Sequence, residues 1–166
     1  MKVIILFDVS ATYQGGSCNT ETLPGPKLQR NIFDIMLGFR KELVAFAGDI
    51  SQMCHYRVLQ PIDHPFNRLL WRDLEPIKQP ETYEFQRFIF GGWYCPFCAQ
   101  YVWQQLARDH QHQYTLAAEA VLKNCYMDGL MPSVKSVEDA RLMRKEIMEL
   151  GDKAGFHVRK WISHRP

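Results

Sequence analysis

The pair Asp128-Gly129, held between Asn124-Cys125-Tyr126 and Leu130-Met131, constrains the fold more than any other stretch of this chain. Asp-Gly between short strand-forming runs signals a tight antiparallel hairpin, since both residues tolerate the backbone such a turn demands. Helical patterns lie on either side of it. Pro96 suits the first turn of a helix running to about Asp109, and a second helix covers 114–122. After the hairpin, Ser136 with Asp139 marks a helix start, and Val137, Ala140, Leu142, Met143, Ile147 and Leu150 form its apolar stripe up to Gly151. Upstream, Leu28, Ile32, Ile35, Met36 and Phe39 also fall at helical spacing. Leu43-Val44-Ala45-Phe46-Ala47 reads as a buried strand that ends at Asp49. Val3 to Phe7, Leu69-Leu70-Trp71, Thr82 to Phe90 and Phe156 to Ile162 read as further strands, while residues 10–24 read as loop. From residue 43 on, the order predicts an α+β fold with helices on one face of a mainly antiparallel sheet.

Such a fold needs apolar material. The 166 residues are 46% hydrophobic and 23% charged, which is enough for a core in a single domain. The net charge of +2 neither demands nor excludes a nucleic-acid partner. No apolar run approaches the ~20 residues of a membrane span. Asp8 interrupts the apolar start before a signal-peptide core is reached. These absences predict an intracellular protein, cytoplasmic or nuclear, whose five cysteines are thiols.

Two acidic residues occupy mechanically special places. Asp49 ends a buried strand and Asp128 lies in the hairpin turn. If those strands are neighbours, the two carboxylates converge on one spot. Convergent carboxylates bind Mg²⁺, a hard cation with oxygen ligands. Two such ions ~4 Å apart can activate a hydroxyl and stabilise a departing pyrophosphate.

Longer strings extend the pattern. They are Phe7-Asp8-Val9-Ser10-Ala11-Thr12-Tyr13, Leu23-Pro24-Gly25-Pro26-Lys27-Leu28, and Val44-Ala45-Phe46-Ala47-Gly48-Asp49-Ile50 with Met53. Leu70-Trp71-Arg72-Asp73, Phe90-Gly91 with Cys95-Pro96 and Ala99, Tyr126-Met127-Asp128-Gly129, and Gly155-Phe156 with Lys160-Trp161-Ile162-Ser163 follow. In this order the set resembles the reverse transcriptase domain of BEL/Pao-type LTR retrotransposons, over nearly the whole chain. The resemblance implies a palm, a ferredoxin-like antiparallel sheet with helices on one face, over 43–166, and partial fingers over 1–42. It implies RNA-directed DNA polymerase ancestry: deoxynucleotides added to a primer on an RNA or DNA template by two Mg²⁺ ions. Asp49 and Asp128 become metal ligands. Lys160 lies near the triphosphate, where an ammonium can protonate the leaving group. Cys54, Phe90, Gly91, Cys95, Pro96, Tyr126 and Met127 fall at nucleotide- or template-binding positions.

The departures from the family's pattern imply a degenerate enzyme. Gly129 replaces the second aspartate of the turn motif, and Gly suits a turn that needs positive φ. Cys54 replaces an aromatic steric gate, Cys95 replaces a serine, and Ile4 replaces a fingers arginine. His55-Tyr56-Arg57-Val58 is one residue shorter than its counterpart. The matched region holds no thumb, RNase H, protease or integrase. Little polymerase activity is expected.

Other readings stay open. Cys95-Pro96-Phe97-Cys98, between a strand and a helix, resembles a glutaredoxin-like redox motif, which implies thiol–disulfide exchange. Cys95, Cys98, His110 and His112 could form a zinc set, although the His gap is short. A non-catalytic module would hold nucleic-acid backbone with Arg40, Lys41, Arg57, Arg68 and Arg72 and stack bases on Trp93 and Tyr94.

Overall fold

The structure, a computed structural model, describes residues 7–55 and 57–164. The strand expected over residues 3–6 and the readings of Ile4 and Tyr56 lie outside them. The elements in chain order are α1 (Ile32–Phe39), β1 (Val44–Ile50), a 3-10 helix (Pro61–Phe66), β2 (Arg68–Trp71), β3 (Glu81–Glu84) and α2 (Tyr94–Asp109). They continue with α3 (Thr115–Asn124), β4 (Cys125–Tyr126), β5 (Gly129–Leu130), β6 (Ser133–Val134), α4 (Val137–Asp152) and β7 (Val158–Ser163). Two compact units interleave in sequence: Met1–Pro24 with Cys54–Cys95, and Gly25–Met53 with Pro96–Pro166. The sequence groups α1 with the partial fingers of 1–42, but α1 packs on α3 and β4 and so belongs to the second unit.

The second unit is a mixed α+β body around an antiparallel sheet. Its central strand, β1, pairs with β5, β6 and β7. Alternation does the sorting: Val44, Phe46, Gly48 and Ile50 are buried, while Ala45, Ala47 and Asp49 face the more open side. Gly48 is small for a reason. A Cβ there would stand 2.8 Å from the Trp161 ring and from Val158 Cγ1, so the ring lies directly on the strand. The β6 strand is too short to show a period in sequence, since it holds only Ser133 and Val134.

The helices follow from caps and stripes. Asn31 opens α1 by accepting the Phe33 N–H at 2.9 Å. Ser136 opens α4 by accepting the Asp139 N–H at 3.0 Å, and Met143, Ile147 and Leu150 turn inward. No side chain at Tyr114 caps α3. Instead the Glu146 carboxylate of α4 accepts the Leu116 and Ala117 N–H groups at 2.9 and 3.1 Å. Ala117, Ala118 and Ala120 are buried and let α3 lie close on α4. Trp103 and Phe156, with ring centres 4.7 Å apart, fill the core beside Leu130, Ile147 and Leu150.

The first unit holds the two-stranded ribbon β2–β3. The strand expected over Thr82–Phe90 is realised only at Glu81–Glu84. Beyond it, residues 85–88 face Asn67 and then residues 57–59, and the Pro-containing 3-10 helix between those two partners prevents a continuous ladder. Contacts there are single: Leu59 N–H to Gln86 O, and Phe88 N–H to Arg57 O. Asn19 is buried and knits the N-terminal loop together. Its amide donates to Ser10 Oγ and Gly91 O, and its Oδ1 accepts the Trp93 N–H at 2.9 Å. Cys54 and Cys95, Cα atoms 6.0 Å apart, form a disulfide, contrary to the expectation of five thiols. The two cysteines come together because the segment between them folds back on itself.

Candidate active site

In the ladder between β1 and β5, Asp49 stands opposite Gly129, and Gly48 opposite Leu130. Directly opposed residues share a face of an antiparallel pair. Leu130 is fully buried, so positions 49 and 129 point together to the open side. The Ile50 N–H donates to the Asp128 carbonyl at 2.7 Å, which fixes the turn beside β1. The sheet therefore sets the turn that holds Asp128 beside the end of β1 that holds Asp49, although the two are far apart in sequence.

The hairpin differs from the expected Asp-Gly turn. Tyr126 pairs with Gly129, so the central residues are Met127 and Asp128. The left-handed residue is Met127, at φ 55°, and Gly129 does not have positive φ. A side chain at 129 would meet Tyr126 O at 3.4 Å, an ordinary contact. The turn therefore does not require Gly129. Holding Met127 there costs of order 1 kcal/mol, and two groups contact its carbonyl. The Nε2 of buried Gln100 donates to it, and the Cys125 thiol lies 3.7 Å away. Sequence reading missed Gln100; the signal available was a polar residue on the stripe of Ala99, Trp103 and Ala107.

Lys160 arrives by a bulge. The register of β7 on β1 runs from Ala47–Ile162 to Asp49–Arg159, so Lys160 and Trp161 together face Gly48. Lys160 takes φ 53° in this bulge, a device that re-aims a side chain. Its ammonium donates to Asp49 Oδ2 at 2.9 Å. That bond, then the Asp49 charge, with a contribution from Asp128, hold the Lys160 ammonium above the ordinary lysine range. Asp49, Asp128 and Lys160 thus form one electrostatic group, with Tyr126 and Met127 on the hairpin that carries Asp128. Beneath it, burial pushes the Cys125 thiol up to about 12, against the opposing pull of Gln100 and Trp103.

The remaining sequence-predicted positions lie mostly in the first unit. Cys54 and Cys95 are bonded to each other. Phe90 is exposed and parallel to the His55 ring, 6.4 Å between centres. Gly91 is required, at φ 106° and with Phe7 O 3.0 Å from any Cβ. Pro96 lies in the first turn of α2. With Cys95 bonded to Cys54, the structure contains no Cys95–Cys98 pair, and burial raises the Cys98 thiol. Of the basic residues expected on a binding surface, Arg57 is buried and Arg68 pairs with Glu84 at 2.7 Å. Tyr94 packs edge-on to Phe88 and donates to Asn67.

Among the described residues, no three His, Cys, Asp or Glu side chains cluster. The donor chemistry at the edge is two carboxylates with an ammonium on one of them. Mg²⁺ binds by one or two carboxylates, with waters or phosphates completing its shell. Two carboxylates are within that requirement in number, and one of them, Asp49, carries the Lys160 ammonium. Among the described residues, no helix is long and apolar enough to cross a membrane. Compared with known proteins, the chain matches no family model and no curated protein.

Proposed function

We propose that the second unit is a palm-like core descended from the reverse transcriptase of a BEL/Pao-type retrotransposon, and that this copy is impaired in nucleotide addition. One observation carries the reading: the pairing of β1 with β5 sets the Asp128 turn beside Asp49, and Lys160 bonds the Asp49 carboxylate while feeling the Asp128 charge. Convergent carboxylates are what template-directed addition needs, because a hard cation must meet both a hydroxyl and a triphosphate. A bound Mg²⁺ would supply Lewis-acid stabilisation of the phosphate charge. The chain's own residues would do the rest. Asp49 and Asp128 would hold the ion, and Lys160 would present a proton to the departing phosphate. The Gly129 substitution removes the third acid without disturbing the turn, which supports an intact fold with weakened chemistry.

Primer extension on an RNA template, with Mg²⁺ and with Mn²⁺, tests this reading. No product is expected from the parent chain. Paramagnetic broadening by Mn²⁺ should centre on residues 49 and 128. Rapid extension would overturn the impairment, and broadening elsewhere would overturn the ancestry. A second reading, a non-catalytic nucleic-acid binder, draws on Arg159 and Lys160, both exposed beside the acids. Binding to a primer–template that weakens steeply with salt supports it. The thiol-exchange reading draws no support from a bonded, buried Cys95.

A further inference from the structure

We infer that Gln100 is a positioning residue for Asp128: its buried side-chain amide sets the direction in which the Asp128 carboxylate leaves the hairpin. The inference rests on the proposed role of Asp128 at the sheet edge. It extends that role to a helix that carries none of the acids.

The peptide geometry gives the argument. The Met127 carbonyl belongs to the peptide unit that enters Asp128, and the Asp128 carbonyl to the unit that leaves it. Gln100 Nε2 holds the first, and the Ile50 N–H holds the second at 2.7 Å. With both planes pinned, φ and ψ of Asp128 are fixed, and so is the bond from Cα to Cβ. Asp128 itself is exposed, so side-chain packing does not orient it. The pin is needed because Met127, a residue with a Cβ, sits at φ 55°. Gln100 is only 3% exposed and shares its stripe with Ala99 and Trp103. A polar amide in that place is costly unless bonded, and an apolar side chain of equal length would pack without the cost. The buried polar group is explained by its bond to the turn.

Amide hydrogen exchange of the full, ¹⁵N-labelled chain tests this, with Q100M as the variant. Methionine keeps the length and removes the donor. Exchange at Gly129, paired with Tyr126, and at Ile50, whose N–H donates to the Asp128 carbonyl, should accelerate by about tenfold, the worth of one hydrogen bond, while Met143 and Ile147 of α4 keep parental rates. Adding M127G should return the hairpin rates to within about twofold of the parent, because glycine takes the left-handed backbone freely. Unchanged hairpin rates in Q100M overturn the inference. So does equal acceleration in the hairpin and α4, which would mark a merely structural residue. If Q100M does not fold, the double variant decides: parental rates uphold the inference, and failure to fold overturns it. Mn²⁺ broadening is recorded on the same samples. Its absence in the parent, alongside accelerated hairpin exchange in Q100M, counts against the metal reading and leaves the positioning role standing.

Discussion

Replacing Gly129 with aspartate tests the register of the sheet and the chemistry of its edge together. The backbone should accept the change, since position 129 does not have positive φ and a Cβ would meet only Tyr126 O, at 3.4 Å. Leaving glycine in a strand for a residue with a side chain gains about 0.5–1 kcal/mol. Against this, the new carboxylate faces Asp49 across the ladder at a Cβ separation of roughly 5 Å. Like charges at that distance repel by about 0.8 kcal/mol in water and about 3 kcal/mol near a protein surface. Because Lys160 partly neutralises Asp49, the lower part of that range applies. In metal-free buffer, G129D should therefore lose no more than about 2 kcal/mol. Mn²⁺ at a hundred times its Kd should then stabilise the variant by about 2.7 kcal/mol. Urea unfolding with and without Mn²⁺ measures both numbers. A metal-free loss well beyond 2 kcal/mol, or equal stabilisation of parent and variant by Mn²⁺, would refute the claim that residues 49 and 129 share a face.

Three further outcomes follow from the geometry. Glu146→Ala removes the carboxylate that accepts two N–H groups on the first turn of α3 and should cost about 1–2 kcal/mol in urea unfolding. A thiol reagent at pH 8 should modify exposed Cys18 first and Cys98 more slowly, and should reach Cys125 only on unfolding, since its thiol is pushed up to about 12. The Lys160 ammonium, raised by Asp49, should remain protonated beyond the ordinary lysine range in an NMR titration. Its contribution is complete below the unfolded lysine value and is lost as pH rises through the folded one; D49N should remove most of the shift and leave the smaller contribution of Asp128.

Much of this fold was legible because its signals are local. The cap at Ser136 and the existence of α4 and β1 come from neighbours within a few residues and appear as read, whereas Leu142 of the expected apolar stripe is exposed and β1, read as a buried strand, alternates between a buried and a more open face. That the strand ending at Asp49 and the turn holding Asp128 could be neighbours was legible as a possibility, and the β1–β5 register sets them side by side. What the chain hid depends on distant partners. Residues 85–90 carry strand-forming side chains, yet the 3-10 helix containing Pro65 separates Asn67 from residues 57–59, the two stretches that face them, so no continuous ladder forms. The turn was read one residue late, because the Tyr126–Gly129 pairing, and not the Asp-Gly dipeptide, decides which residues sit at its tip. The bulge at Lys160 leaves no composition mark. Nor does the Cys54–Cys95 bond, whose partners are 41 residues apart.

That bond has a consequence for how the chain can vary. The segment it closes begins and ends within 6.0 Å, Cα to Cα. A gap of that width is spanned by about two extended residues. The stretch from Cys54 to Cys95 is thus a closed cassette whose interior can change in length while the two cysteines stay where they are, provided Gly91 and Trp93 keep their bonds to Asn19. Sequence drift should accumulate inside the cassette faster than in the strand and helix it interrupts.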